Sequence, residues 1–439
     1  MNFSPSRPGA SLLCLLAAAG PASAADAAPS QPIVIRAAHL FDGVSGRLVD
    51  GGTIVVQGGR IQAVGANAQA PAGARIVDLG DATLLPGFID SHVHLSDEAS
   101  QNWYRDFFDG MQRFPAEQSL YGALYAKRSL EAGFTSVRDV GSEDFIAAGM
   151  RNAIEAGIAI GPRMLVSNYG IGSTAGHADQ HPFPPQLVAP AGPVQGVCNG
   201  ADECRAAVRY QIKWGADVIK VVPSGGVLSL SDPVDVPQLT QDEMNAIVSE
   251  AHAWHRKVAA HSHGDAAAKI AIAAGVDSIE HGTFLEDDTL AEMKEKGVYL
   301  VPTLFAGAWV GENADRFPPA IATKARAAAA QMQATFQRAV KIGVPIAFGT
   351  DAGVEPHGLG AREFSLMTKN GMTPAQALMA ATAKAADLLG IAADTGTLEA
   401  GKAADIVAVP GNPLDNIEAT ERPVFVMKAG TIYVGGAGG

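Results

Sequence analysis

Histidines one residue apart end two apolar runs, His92 and His94 in LLPGFIDSHVHL and His261 and His263 in KVAAHSHG. In an extended strand, side chains at i and i+2 share a face, so each pair projects together. Three more polar residues occupy comparable places: Lys220 interrupts DVIKVV, His281 ends DSIEHG and Asp351 ends AFGTDAG. Singly, each has an ordinary explanation. A histidine pair can be satisfied within a core, a lysine can run its charge out along an apolar edge, and an aspartate can cap a helix. Together, seven metal-competent side chains at the ends of apolar runs point to a metal site. Imidazoles and a carboxylate bind divalent ions, and a lysine inside an apolar strand is costly unless its charge is neutralised or paired.

The elements that must position these residues alternate along the centre of the chain. Strand candidates are TLLPGFIDSHVH, TSVRDVG, RMLVSN, DVIKVVPSGG, KVAAHSHG, DSIEHG, YLVPTL and PIAFGTDAG, with helical stretches such as TQDEMNAIVSEAHAWH and DAAAKIAIAAG between them. Eight β/α repeats predict an α/β fold, a (β/α)8 TIM barrel, whose catalytic residues gather at the C-terminal ends of the strands. A doubly wound sheet is the alternative, and no Gly-rich phosphate fingerprint supports it. Hairpin-rich segments with Gly-Gly turns flank this centre, IVIRAAHLFDGVSGRLVDGGTIVVQGGRIQAVG before it and GTLEAGKAADIVAVPGNP and VFVMKAGTIYVGG after it. The expectation is a small β-sandwich domain built from both chain ends, 25–86 plus 390–435, beside a barrel domain of 87–389.

At 439 residues, 47% hydrophobic and 18% charged, the chain has the composition of a soluble α/β enzyme rather than a disordered one. A net charge of −13 without a basic run argues against a nucleic-acid partner. The opening MNFSPSRPGASLLCLLAAAGPASA has Arg7, an apolar stretch from Ala10 to Ala19, and Ala22-Ser23-Ala24 in the arrangement that signal peptidase cuts. The expectation is a signal peptide over 1–24, a mature start near Ala25 and a periplasmic or secreted protein. The apolar stretch is about half of the ~20 residues that a membrane span requires, so no membrane association is expected after its removal. Cys198 and Cys204, in CNGADEC, either bridge or remain two free thiols in that compartment.

PGFIDSHVHL, the Lys220 strand, AAHSHG, IEHG and GTDAG, framed by GTLEAGKAADIVAV, resemble the ordered motif set of the amidohydrolase superfamily over nearly the whole mature chain. That superfamily includes dihydroorotase, imidazolonepropionase and prolidase-like carboxypeptidases. The resemblance implies a site for two divalent ions, with Zn²⁺ expected. His92, His94 and Asp351 would hold one ion, His261 and His281 the other, and Lys220, carboxylated by CO₂ to N6-carboxylysine, would bridge them. It also implies hydrolysis by metal-activated hydroxide, with Asp351 carrying the proton to the leaving nitrogen. His263 is expected at the substrate carbonyl or its oxyanion, the alternative being a hydrogen bond behind a ligand.

Substrate choice in such a fold belongs to the loops after the strands. In NYGIGSTAGHADQHPFPP, Tyr169 and His177 are placed to reach over the ions, and in PSGGVLSLSDPVD the backbone of Ser224, Gly225 and Gly226 offers N–H groups to a carboxylate. Arg138 is a second candidate for that carboxylate, with a structural Arg138–Asp139 pair as its alternative. Phe284, Phe305 and Trp309 are either the lining of an apolar pocket or ordinary packing. These loops resemble the prolidase-like branch, which implies cleavage beside a C-terminal amino acid in Xaa-Pro-type dipeptides or N-acyl amino acids, and ochratoxin A in one relative. A cyclic amide or lactone substrate and a non-catalytic binding barrel are the competing readings. The family also implies a homo-oligomer acting on a small-molecule amide or dipeptide.

Overall fold

The computed structural model describes residues 31–100, 102–179, 186, 189–230 and 232–435. The expected signal peptide, 1–24, lies outside them. Five strands from the first part of the chain, Ile33–Phe41, Leu48–Gln57, Arg60–Val64, Arg75–Asp78 and Ala82–Pro86, join three from the end, Ile406–Pro410, Phe425–Lys428 and Thr431–Val434. The two groups meet where Ala82–Pro86 runs antiparallel to Ile406–Pro410, Pro86 opposite Ile406 and Ala82 opposite Pro410. Strand pairing thus passes through one eight-stranded sheet, where the sequence suggested two stacked ones. The far edge curls back, because Ile61 N–H donates to the Lys402 carbonyl and Ala404 N–H to that of Gly59. Ile35, Ile54, Leu84, Ile406, Phe425 and Met427 fill the core so enclosed.

Seven of the eight predicted central strands form, in two parallel sheets. One contains Phe88–Val93, Phe134–Asp139 and Arg163–Val166; the other contains Val218–Val221, Lys257–Ser262, Ser278–His281 and Tyr299–Val301. Nearly every residue in them is buried, the pattern of parallel strands covered on both faces. The Phe88–Val93 strand shows how the fold divides labour. Phe88 sits among the rings of Phe134 and Phe364 at 5.8 and 5.0 Å, while His92 and His94 emerge at the other end. Burying one such ring contributes about 1.5–3 kcal/mol, so apolar packing at the strand's start anchors the polar groups at its end.

The eighth segment, PIAFGTDAG, forms isolated bridges at Ile346 and Ala352 instead of a strand. Pro345 has no N–H, and Asp351 turns to φ +69°, outside the extended region. Its backbone is nonetheless bonded on both sides: Leu300 N–H donates to Pro345, and Ala347 N–H to Leu300. Ser91 N–H donates to Phe348, Asp351 N–H to His92, and His94 N–H to Ala352. Between the two parallel sheets, Ile171 pairs with Val221, and Asp217 N–H donates to Val166. Helices pack outside. Gln241–Ala253 starts on a capping box, the Thr240 hydroxyl accepting from Glu243 N–H while the Glu243 carboxylate accepts from Thr240 N–H at 2.8 Å. Pro319–Ile342, at 24 residues, is the longest among the described residues and ends where Gly343 takes φ +88°.

Candidate metal centre

His92, His94, Lys220, His261, His263, His281 and Asp351 all line one cavity of about 390 Å³, together with Tyr169 and His177. Positive φ angles recur in the ring of strand ends around it: Asn168 at +61°, His281 at +68°, Thr303 at +49° and Asp351 at +69°. Each such residue costs of order 1–3 kcal/mol unless its surroundings hold it there. Of these, His281, Thr303 and Asp351 line the cavity.

On the first-strand side, His92 Nδ1 donates to Glu280 Oε2 at 2.8 Å and His94 Nδ1 donates to the Gly141 carbonyl at 3.0 Å. A carboxylate or carbonyl only accepts, so both rings carry their proton on Nδ1. Both Nε2 atoms then face Asp351 Oδ1 at 3.2 Å. Two nitrogen lone pairs against a carboxylate oxygen repel unless a positive charge lies among them, a proton on the ring or a metal ion. Burial opposes the Asp351 carboxylate, yet His92 and His94 hold it well below the usual carboxylate range. Lys220 Nζ lies 3.4 Å from His92 Nε2. Burial pulls its ammonium down to about 8, with Glu280 and Asp351 opposing.

On the other side, His261 Nε2 faces the Gly225 carbonyl at 3.3 Å, and its Nδ1 lies 3.0 Å from His281 Nε2. His281 Nδ1 and His263 Nδ1 meet the hydroxyls of Thr303 and Thr283, each at 2.7 Å. Burial and mutual repulsion hold His261 and His281 well below 6.5, and burial takes His263 to about 3. Neutral imidazoles are the ligating form. Ligand atoms of His92, His281 and Asp351 lie within 4.8 Å of one another, as do those of His261, His263 and His281. This is a His-rich potential metal site, and its donor set fits divalent ions. His263 falls within the second group and stacks on His281 at 4.8 Å, closer to the ligating nitrogens than a purely substrate-facing residue would be.

Three of the readings offered by the sequence are corrected by placement. Arg138 does not line the cavity: it is buried, its guanidinium held by both oxygens of Glu280 at 2.9 and 3.0 Å and by the Ser91 carbonyl at 2.5 Å. Its partner is therefore neither a substrate carboxylate nor Asp139. Ser224, Gly225 and Gly226 are buried and do not line the cavity either. Ser224 Oγ accepts from His263 N–H at 2.9 Å and Gly226 N–H donates to Asp232 at 3.0 Å, while a Cβ on Gly226 would come within 2.2 Å of the His177 ring. Phe284, Phe305 and Trp309 lie off the cavity, whose apolar wall is aliphatic: Val222, Val227, Leu228, Val310, Met332 and Val354. Tyr169 and His177 do reach it. The Tyr169 hydroxyl accepts from Asp144 N–H at 2.9 Å, His177 Nδ1 is bonded to Ser229 Oγ, and burial lowers His177 to about 4.

Two acids, Glu280 and Asp90, escaped the sequence reading, and a third, Asp139, entered it only as an alternative partner of Arg138. Glu280 orients His92; against burial, Arg138 and His92 hold its carboxyl down to about 2. Asp90 accepts from His92 N–H and Thr350 N–H, each at 3.1 Å, and from the Thr350 hydroxyl at 2.7 Å, joining the first strand to the eighth segment. Asp139 accepts from Leu95 N–H at 2.8 Å. The available signal was a carboxylate inside each apolar run, in GFID, VRDV and SIEH. Of the two readings for Cys198 and Cys204, the bridge is the one formed, and Cys198 N–H donates to the Gly172 carbonyl in the segment that carries Tyr169 and His177.

Known proteins match this arrangement of sequence and fold. The profile of the Amidohydrolase family covers residues 83–434. A solved structure described as a Xaa-Pro dipeptidase with methionine bound in its active site superposes with a TM-score of 0.87 at 38% identity, over 92% of this chain and all of that one. Ochratoxinase of Aspergillus niger is 34% identical over 371 residues, 80% of this chain and 76% of its own. Its crystal structure superposes with a TM-score of 0.81. Imidazolonepropionase of Pseudomonas savastanoi pv. phaseolicola is 27% identical over 407 residues, 82% of this chain and 88% of its own.

Proposed function

The chain belongs to the amidohydrolase family and is a hydrolase of C–N bonds related to ochratoxinase and Xaa-Pro dipeptidase, and from that premise we propose that it cleaves an amide or peptide bond next to a C-terminal amino acid. Xaa-Pro-type dipeptides, N-acyl amino acids and ochratoxin A are the substrate classes. The observation that carries the reading is the convergence of six imidazole and carboxylate groups and Lys220 on one cavity with an aliphatic wall. Hydrogen bonding on both sides of the eighth segment supports a closed barrel, 87–389, with the end strands, 25–86 and 390–435, folded about their own core as a flattened sandwich.

His92, His94 and Asp351 would hold one divalent ion, His261 and His281 a second, and Lys220 would lie between them; Zn²⁺ is the proposed metal. Bound there, the ions would supply Lewis acidity to the scissile carbonyl and make water nucleophilic near neutral pH. Lys220 has a neutral amine fraction within reach of neutral pH, since burial lowers it to about 8. That amine adds CO₂ and releases a proton, replacing a desolvated cation with an anion. Asp351 accepts the proton of the attacking water and returns it to the leaving nitrogen. His263, with Nδ1 on the Thr283 hydroxyl, offers Nε2 to the developing oxyanion. Tyr169 and His177 bound the substrate from the loop above.

The leader-like residues 1–24 and the Cys198–Cys204 bond support an exported, periplasmic or secreted enzyme, and a homo-oligomer is proposed by family likeness. Among the described residues lining the cavity there is no arginine to receive a carboxylate, which favours a cyclic amide or lactone as the second reading. One experiment separates them: metal analysis of the purified protein with a screen of N-acyl amino acids, Xaa-Pro dipeptides, ochratoxin A and lactones. Turnover of lactones alone would overturn the first reading.

A further inference from the structure

We propose that Lys324 is a positioning residue for the substrate pocket: from the Pro319–Ile342 helix it grips the turn after Val218–Val221 and so sets the position of Val227 and Leu228 in the cavity's apolar wall. The inference rests on the reading of this cavity as a substrate site. Lys324 Nζ donates to the carbonyls of Gly226 at 2.7 Å, Ser229 at 2.6 Å and Asp232 at 3.0 Å. An ammonium has three N–H donors, and all are used on one short stretch of backbone.

Among its described residues that stretch has few other hydrogen bonds, and its Val227 and Leu228 pack against the cluster of Val310, Ala314, Ala322 and Ala325. Its base is closed by a bridge between Ser224 and Pro237 and by Gln238 N–H donating to Pro223 at 2.8 Å. Within it, Asp232 accepts from Gly226 N–H and from the Gln238 amide, each at 3.0 Å. Val227 and Leu228, which face the cavity, lie between the carbonyls of Gly226 and Ser229 that Lys324 holds. Ser229 meets His177. Ala325, Ala328 and Met332 of the same helix form the facing part of the wall. One helix thus supplies one wall directly and fixes the other through a lysine, so the gap between them follows the reach of that side chain. Lys324 touches none of the groups assigned to bond cleavage. Its loss should alter how an apolar substrate group is received and leave the reacting atoms in place.

The test uses the full-length, metal-loaded protein and Lys324→Met, which keeps an unbranched apolar stem without donors. KM for an amide substrate with a large apolar group should rise about tenfold, with kcat within about threefold and KM for its glycine counterpart within about twofold, the signature of lost binding contacts rather than lost chemistry. Chymotrypsin cleavage after Leu228, followed by mass spectrometry, should accelerate about tenfold at an unchanged Tm, because local opening is released without global unfolding. Equal KM changes for both substrates, or an unchanged cleavage rate, would overturn the proposal. If no amide is turned over, the proposed function fails, and the cleavage rate still decides on Lys324. Should Lys324→Met not fold, Lys324→Gln, whose amide brings two donors on a shorter arm, should be cut at an intermediate rate; a wild-type rate would refute the clamp.

Discussion

The two sides of the centre hold their histidines by different chemistry. On the first-strand side His92 leans on a carboxylate, Glu280, itself gripped by Arg138, and both His92 and His94 face Asp351. On the opposite side His261, His263 and His281 lean on a carbonyl and two threonine hydroxyls, with no carboxylate bonded to any of them among the described residues. The electrostatics follow: Asp351 raises the His94 imidazole against the desolvation of burial, whereas burial drives His261 and His281 well down. A carboxylate behind an imidazole makes it a more basic ligand, and a hydroxyl does so less. The first side should therefore bind a divalent ion more tightly than the second, and graded chelation should strip the second side first.

The largest expected effect removes the group between the sides. Lys220→Ala should lose most bound metal and nearly all turnover, read as metal per chain and kcat, with short carboxylic acids restoring part of both. Full metal content with normal turnover would remove Lys220 from the centre. Next comes Asp351→Asn, nearly isosteric, which should lower kcat by on the order of 10² to 10⁴ on samples of verified metal content, the range for a positioned acid–base group. Wild-type kcat in a fully metallated variant would pass the proton role to His263 or His177.

The residues at the cavity were legible because they break a pattern: a histidine pair or a lysine at the end of an apolar strand stands out against its neighbours. The supporting groups were harder to read. Glu280 lies one residue before His281, so it points to the other face of its strand, and its partners Arg138 and His92 are 142 and 188 residues away. No local spacing encodes that contact. Arg138 misled for the same reason, since its position near a strand end says nothing of a buried acid two sheets' worth of chain away. The eighth strand was over-read because apolar content predicts burial but not φ: Asp351 needs a left-handed turn that IAFGT does not announce. The aromatic pocket failed because loop aromatics pack wherever space exists, and here the wall is made by Val, Leu and Met from four separate segments.

Glu280→Gln sharpens the comparison on the first side. It leaves the Arg138 guanidinium buried without its full counter-charge, a loss of about 3–5 kcal/mol when one partner of a buried pair is removed. The measurable outcome is a marked fall in Tm, together with an ion affinity on the His92 side weakened about 10- to 100-fold. An unchanged Tm would mean that the pair is dispensable and that the asymmetry between the sides does not come from Glu280.

Thr303→Val probes the second side with the smallest expected effect. Valine keeps the β-branched shape, and Thr303 already sits at φ +49°, so the backbone strain is common to both and the substitution isolates the hydroxyl. Without it, His281 Nδ1 loses its only hydrogen-bond partner among the described residues, and the ring is free to choose its tautomer. A neutral hydrogen bond is roughly half as strong as a charge-assisted one, so the loss in ion affinity should sit near tenfold, the lower end of the range for groups behind a ligand. Competition with a chelator on the paired variants reads the difference directly: Glu280→Gln should release the more tightly held ion earlier than wild type, and Thr303→Val should leave that ion in place and advance only the loosely held one. If both variants weakened the same ion equally, the two sides would be one electrostatic unit, and the contrast between carboxylate-backed and hydroxyl-backed histidines would not govern how this centre holds metal.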